Sequence, residues 1–527
     1  MAEPLEISAL TLNCWGLKYI SALRTERLAE IGRRIAALAE PSSTPPLSSS
    51  SSPSSPPTTP LSIVALQECW CHEDFEAIHN LTRHALPFAK FFYGGIWGAG
   101  LAVLSRWPIT QTSMTPYSLN GRPTAFWRGD WFVGKGLASA TIRVDDTTAV
   151  EVLVTHTHAP YEGGRPDDSY LLHQVAQTWE AGKRIRAAAE RGRLVLAMGD
   201  FNMTPDSLQY QSLYLGANAA SPVLSSSTSN NFVLHDTWRD LHPNAALGNS
   251  YNPLEQARQR QLSPHGQQTI PTASFNLAEN GTASDNVLNT WRWPKDKQKR
   301  LHKSYQRRHQ RQQQQGKPAA DEDIDSEFVV ALDTPDPAAK RLDYVFYAAP
   351  CPPGASFSTT PERPVWRTKT ARVAMVEPHP TLGCSVSDHY AVAVTIVREP
   401  AAATAEAGTS GIPTVPHSAY DSVLAESDRY MRRELKQRYW RSVHFFVSVT
   451  VTIGCYVAVW FSPRNFVAFL LTLLASLGLA TGVVDGLIAL LFFGSEIRYI
   501  KDFHWEICNA KAAASAVRAS SSHSQDK

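Results

Sequence analysis

Cysteine is scarce in this chain of 527 residues: Cys14, Cys69, Cys71, Cys351, Cys384, Cys455 and Cys508 are seven, odd in number and scattered. That pattern excludes a disulfide framework and reads as a protein of a reducing compartment. Cys69 and Cys71 are poor partners for each other, and no Cys/His pair with zinc spacing follows them. Net charge is equally small, since 50 Lys+Arg against 48 Asp+Glu leave +2. No global field therefore marks the chain as a nucleic-acid binder or an acidic solvating segment. The first residues, MAEPLEISALTLNCWG, carry neither a basic n-region nor an uninterrupted apolar run, so no cleaved signal peptide is expected. Internal repeats are not evident, and the length suggests about two to four modules rather than one core.

Long apolar runs are present, but only near the C-terminus. Residues 443–461 carry no formal charge, and residues 466–493 carry only Asp485. Each is long enough to cross a bilayer, which takes about 20 apolar residues. Only Ser462-Pro463-Arg464-Asn465 separates them, so they read as a transmembrane helical hairpin with both outer ends on one side. Arg429, Arg432, Arg433, Lys436, Arg438 and Arg441 precede the first span, and Arg498 and Lys501 follow the second. The positive-inside rule then places everything upstream and both termini in the cytosol. The basic segment 420–442 is either a topology signal alone or also a contact for anionic phospholipid headgroups. Asp485 needs a partner or a shallow, wet position, and sequence does not name one. The organelle stays open between endoplasmic reticulum and mitochondrial outer membrane, as does oligomeric state.

Residues 1–398 form the body, interrupted by two segments expected to be disordered or solvated. Residues 41–60 are rich in Ser and Pro and cannot build a core. Residues 297–326 are basic and Gln-rich, then acidic, and read as a solvated surface loop because stacking aromatics are nearly absent. Residues 399–419 make a linker, and residues 494–527 a cytosolic tail. Between these lie short β-type runs, LEISALTLNCW, LSIVALQECW, GAGLAVLSRWPI, VEVLVTHTHAP, RLVLAMGDFN, KRLDYVFYA and DHYAVAVTIV, with helical patterns such as 24–39 and 169–191. The expectation is an α/β body of two packed sheets with helices outside.

Acids, amides and imidazoles recur at the ends of these runs. Asn13 closes the first and Glu68 the second; His156 and His158 follow a middle run, Asp200 and Asn202 the next; Asp343 sits inside another, and Asp388-His389 opens the last. Any one of them alone reads as a turn former or a structural histidine. Together they converge on one cleft if the strands share sheets. Hard oxygen donors without thiolates suit Mg²⁺, held by Glu68 with help from Asn13 or Asp388, while histidines move protons: a composition for metal-assisted phosphodiester hydrolysis.

The motifs NCWG (13–16), LQECW (66–70), THTHAPY (155–161), GDFNMTP (199–205), RLDYVFY (341–347) and SDHYAVAV (387–394) resemble the DNase I-like endonuclease/exonuclease/phosphatase superfamily. Within it the chain is similar to neutral sphingomyelinases and to fungal inositol phosphosphingolipid phospholipases C, over residues 5–398 and the two spans. The resemblance implies a DNase I-like two-sheet sandwich flanked by helices. It implies Glu68 as metal ligand with Asn13 beside it and Asp388 near the metal, and His389 as general base oriented by Asp343. Asp200 and Asn202 would position water and support the pentacovalent state, and His156 would stabilise phosphate charge, with His158 its rival. The segment 129–136 has GxxxxGK spacing, but Gly136 stands where Ser or Thr would hold Mg²⁺ in a nucleotide site. It resembles the P-loop-like region of the sphingolipid enzymes, in which Asp130 and Lys135 are implicated in activity; the alternative is a surface hairpin. The implied substrate is a membrane sphingolipid, with phosphoinositol and phosphocholine headgroups left open. A membrane-tethered nuclease or inositol polyphosphate phosphatase is the alternative, the nuclease disfavoured because a net charge of +2 does not promise a basic face and the spans place the site at lipid.

Overall fold

Runs of aliphatic residues form twelve strands: β1 (Leu5–Asn13), β2 (Ile63–Gln67), β3 (Phe88–Phe92), β4 (Leu101–Ser105), β5 (Ile109–Pro116), β6 (Gly136–Arg143), β7 (Ala149–His156), β8 (Leu194–Asp200), β9 (Leu234–Asp236), β10 (Asp343–Ala348), β11 (Val365–Ala374) and β12 (Ala391–Glu399). The computed structural model describes residues 4–41, 59–163, 165, 167–218, 233–263, 266–315, 326–349, 365–399 and 415–525. The strands build two six-stranded mixed sheets, ordered β11-β12-β1-β2-β4-β3 and β5-β6-β7-β8-β10-β9. Most of the Ser/Pro insertion and of the linker, and residues 316–325 of the polar tract, lie outside the described residues.

Most central strands are buried on both faces, which is why their sequences run apolar without alternation. Inner faces meet in one core that includes Ile7, Val103, Val152, Met198, Val345 and Val394. Outward, Leu10, Leu12 and Leu66 of the first sheet pack on Leu28 and Ile31 of helix Arg24–Ala39 and Ile78 of helix His72–Thr82. The second sheet meets helices Leu171–Glu190 and Leu208–Asn218 through Leu153, Val195, Ile185 and Leu213. The result is the expected helix–sheet–sheet–helix sandwich.

Some elements differ from expectation. β6, GLASATIR, is rich in small residues of low strand propensity, and partners on both sides supply what its side chains do not. Residues Lys295–Gln315, expected as a solvated loop, are helical, with Leu301 buried. Asp343 is the first residue of β10 rather than an interior one. Near it, Arg341 donates to both carboxylate oxygens of Asp236 at 2.8 Å, and both side chains are almost fully buried.

The first apolar run and the basic segment form one continuous helix, Ser418–Phe461. The second run is helix Asn465–Leu487, a π-helical turn Ile488–Phe492 and helix Phe493–Gln525, so the tail continues the span. Two helices here are long and apolar enough to cross a membrane. Asp485 has partners after all: it pairs with Arg441 and accepts from His444 Nδ1 at 2.8 Å. Arg429 donates to the Asp168 carbonyl at 2.7 Å and Arg433 pairs with Glu434, so part of the basic segment binds protein. Tyr430, Ile500 and Ile507 bury against Val175 and Trp179, docking both helices on the body.

Replacing Arg341 with Met leaves the Asp236 carboxylate buried without its bidentate partner. A loss of about 3 kcal/mol is expected, seen as a lowered thermal midpoint of the full chain in detergent.

Candidate active site

Sheet register brings the strand-end residues together. β1 and β2 are parallel, with Asn13 opposite Gln67, so Asn13 and Glu68 leave the same edge. β7 and β8 are parallel, with His156 opposite Asp200. β10 runs antiparallel to β8, so its first residue, Asp343, faces Asp200. β12 runs antiparallel to β1, which puts the residues before it, Asp388 and His389, at the same edge. Packing one sheet on the other closes the set: Asn13 Nδ2 donates to Glu68 Oε1 at 3.0 Å and to Asp200 Oδ2 at 3.1 Å.

His389 stands at the centre of a carboxylate group. Its Nδ1 lies 2.8 Å from Asp343 Oδ2, and its Nε2 is 4.0 Å from Asp200 Oδ2. Ligand atoms of Asp200, Asp343 and His389 all lie within 4.8 Å of one another. Burial works to lower the His389 pKa, but Asp343, with its hydrogen bond, and then Asp200 and Asp388 push it well above the ordinary imidazole value. Asp200 accepts from the Asn202 backbone at 2.9 Å, and Asn202 Nδ2 donates to the Thr157 carbonyl at 3.1 Å.

Opposite lies the Gly129–Gly136 segment, and it is not a surface hairpin. A short helix, Asp130–Val133, sits between Gly129 and Gly134, and Asp130 and Lys135 are both buried. Lys135 Nζ is 3.1 Å from Asp130, 2.8 Å from the Thr157 carbonyl and 3.1 Å from His156 Nε2. Burial tends to raise the Asp130 pKa, but Lys135 and then His158 hold it at about 2. The two histidines occupy different places. His156 Nε2 is 3.6 Å from Asp200, at the cleft, and burial and the Lys135 charge push its pKa to about 3, which keeps it neutral. His158 stands behind: its Nδ1 meets the Ala159 carbonyl, its Nε2 is 3.8 Å from Asp130, and its ring stacks on Tyr170.

Glu68 Oε2 is buried with no hydrogen-bond partner among the described residues. Burial, reinforced by the Asp388 carboxylate, pushes the Glu68 pKa up to about 7. An orphaned carboxylate oxygen beside a second acid, an amide and no thiolate fits a hard divalent cation. Glu68 and Asn202 adopt left-handed φ angles of +53° and +46°, as does Trp15 at +47°. Gly16 is required here, since a Cβ would sit 2.4 Å from the Glu68 carbonyl.

Sequence reasoning missed Arg27. Its guanidinium is fully buried and donates to the carbonyls of Cys14 at 3.3 Å, Trp15 at 2.9 Å and Val386 at 2.8 Å, tying the NCWG and SDH loops together. The available signal was its position: Arg27, Ile31 and Ile35 recur every four residues on one buried helix face. Ser387 was also missed, although its Oγ donates to the Asn13 carbonyl at 2.6 Å.

The chain is similar in sequence to known proteins. Inositol phosphosphingolipids phospholipase C of Schizosaccharomyces pombe is 31% identical over 513 residues, 96% of this chain and 94% of its own. The protein of that name in Saccharomyces cerevisiae is 29% identical over 520 residues, 96% of this chain and 90% of its own. Sphingomyelin phosphodiesterase 2 of Homo sapiens is 32% identical over 204 residues, 39% of this chain and 43% of its own. Residues 10–389, which hold every side chain of the cleft, match the sequence pattern of the Endonuclease/Exonuclease/phosphatase family, and the chain belongs to that family.

Proposed function

We propose that the protein is a Mg²⁺-dependent sphingolipid phospholipase C that hydrolyses inositol phosphosphingolipids, sphingomyelin or both to ceramide and a phosphorylated headgroup. The observation that carries this reading is the match to a fungal phospholipase C along 96% of the chain, spans included, rather than along the catalytic body alone. The body and the apolar helices are thus shared with a protein named for that lipid reaction.

In this reading His389 Nε2 takes a proton from water while Asp343 holds Nδ1 and steadies the imidazolium. Asp200 and Asn202 position the water and support the pentacovalent phosphorus. The water oxygen bonds to phosphorus as the bond from phosphorus to the ceramide oxygen breaks; ceramide leaves as its alcohol by taking up a proton from solvent, His389 returns its proton to solvent, and the phosphate stays on the headgroup. Neutral His156 and the Lys135 ammonium meet phosphate oxygens, Asp130 holding Lys135 and His158 supporting Asp130. Glu68, Asn13 and Asp388 would hold the ion. When bound, Mg²⁺ neutralises charge on a phosphate oxygen.

The reading also makes the chain an integral membrane protein with body and termini in the cytosol. Exposed Ile96, Trp97, Phe126 and Trp127 suit an interfacial face, and Trp131 lies 6.4 Å from Phe492 beside the second span. Arg432, Lys436 and Arg438 suit anionic headgroups. Nucleic acid is not a substrate here.

The test is headgroup release from vesicles of inositol phosphoceramide, sphingomyelin or a glycerophospholipid, with Mg²⁺ or chelator. Metal-dependent cleavage of sphingolipid is expected, and release that persists in excess chelator would sink the reading. His389→Ala is expected to lower kcat by about a thousandfold while leaving membrane insertion intact. Glu68→Ala should raise the Mg²⁺ concentration needed for half-maximal rate; an unchanged metal dependence would move the ligand elsewhere.

A pH profile separates the role of Asp343. Its carboxylate raises the His389 pKa, and the base works only when neutral, so removing that charge lets His389 lose its proton at lower pH. Asp343→Asn is therefore expected to move the acid limb of kcat/KM to lower pH while reducing its plateau. An acid limb that stays in place would remove Asp343 from contact with the base.

A further inference from the structure

Between the body and the second apolar helix lies a cavity of about 550 Å³ that takes no part in the chemistry described above. Tyr117 and Trp131 line it from the body, and Leu487, Leu491 and Phe492 from the helix. Its helical wall is the π-helical turn Ile488–Phe492, a local widening that frequently accompanies binding sites. The body wall is the Gly129–Gly136 segment itself: Trp131 and Gly134 face the cavity, while the next residue, Lys135, reaches His156 in the cleft. The cavity and the hydrolytic cleft are thus two sides of one short segment.

Two polar groups in this apolar wall lack donors. Asn120 Oδ1 is buried with no hydrogen-bond partner among the described residues. Glu496 is 4% exposed; the Glu434 carboxyl beside it shares at most one proton with it, which leaves an oxygen of Glu496 without a donor. His173 Nε2 comes within 3.3 Å of Glu496 but is engaged elsewhere, since Gly121 N donates to Nδ1 and Nε2 meets the Tyr430 hydroxyl. Burial and Arg122 also hold His173 neutral, its pKa at about 3. A buried acceptor left unmet is costly, so such groups point to a ligand that brings donors.

We propose that this cavity binds the N-acyl sphingoid part of the substrate, with Asn120 and Glu496 accepting from its amide N–H and hydroxyl. The inference rests on the phospholipase reading and adds what selects the lipid backbone. A sphingoid backbone carries donors at the junction between its chains and its phosphate; a diacylglycerol backbone carries only ester acceptors there. Asn120 and Glu496 would leave a glycerolipid with unpaired acceptors on both sides, so backbone choice is made here, apart from headgroup choice in the cleft. The position also suits a lipid that remains part-way in the membrane, since one wall is the helix that reads as the span.

The test uses the full chain in vesicles with three probes of one headgroup: inositol phosphoceramide, its N-methylated analogue and phosphatidylinositol. Wild type is expected to cleave the N-methylated analogue with kcat/KM about tenfold lower than the unmodified lipid, because the N–H donor is gone. Asn120→Leu is expected to lose about tenfold on the unmodified lipid, mainly in KM, and almost nothing on the N-methylated one. Glu496→Gln, which keeps a carbonyl acceptor, should retain the preference for sphingolipid over phosphatidylinositol. Equal cleavage of the two sphingolipids by wild type overturns the inference and leaves the phospholipase reading standing. Discrimination that persists undiminished in Asn120→Leu overturns the role of Asn120. No cleavage of either sphingolipid by wild type overturns both.

Discussion

Asn13 Nδ2 is shared between Glu68 of its own sheet and Asp200 of the facing sheet, at 3.0 Å and 3.1 Å. It is the polar stitch at one edge of an otherwise apolar contact between sheets. On one side stand Glu68 and Asp388, and on the other Asp200, Asp343, Lys135 and His156, with His389 reaching across from the first sheet to Asp343 of the second. The cleft exists because the two sheets meet in this register. A slip of one residue in any of the strands concerned would turn its site residue to the opposite face. The helices outside, the buried Arg341–Asp236 pair and the Arg27 clamp all act to hold that register.

Much of this was legible because catalysis and folding ask for different residues. A buried strand is apolar on both faces, so a carboxylate, amide or imidazole at its end stands out; Asn13, Glu68, Asp200 and His389 were visible in that way. The helices 24–39 and 171–190 were legible for the same reason, their apolar period being complete. Elements held by their neighbours were not. β6 has little propensity of its own, and helix Lys295–Gln315 has a composition that alone predicts solvent. Arg27 went unread because sequence does not reveal the four carbonyls, of Cys14, Trp15, Ala22 and Val386, waiting for its guanidinium. Nor did sequence separate His156 from His158, which are two residues apart at the end of β7 yet reach different partners.

The part that carries the two long apolar helices follows a similar division. Two apolar runs were plain from length, whereas the docking of their extensions on the body was not. Asp485 costs little where it lies because Arg441 and His444 of the other helix meet it. Arg429 donates to the Asp168 carbonyl of the body, so a basic residue that charge counting assigns to topology also holds helix Ser418–Phe461 on the catalytic sandwich, whereas Arg433 pairs with Glu434 of its own helix. A domain held this way has a defined orientation relative to the two apolar helices, unlike one on a loose tether.

Backbone strain at the cleft completes the account. Trp15, Glu68 and Asn202 each follow a strand end closely, and each turns the chain with a positive φ that an L-residue adopts at a cost of about 1 kcal/mol or more. Glycine would relieve the strain at any of the three, but glycine at 68 or 202 would remove the side chain that the turn serves to aim. The turns are over-determined from outside: Gly16 N donates to the Glu68 carbonyl at 3.0 Å, Asp200 accepts from the Asn202 backbone, and Arg27 holds the Trp15 carbonyl. Two locks join motifs: Gly16 of NCWG holds Glu68 of LQECW, and Asn202 of GDFNMTP donates through Nδ2 to the Thr157 carbonyl of THTHAPY, while Arg27 holds Trp15 from the helix outside them. Bonds such as Asn13 to Asp200, Ser387 to the Asn13 carbonyl and His389 to Asp343 tie the remaining motifs to these, so the stability of two sheets carries the strain that a single loop could not.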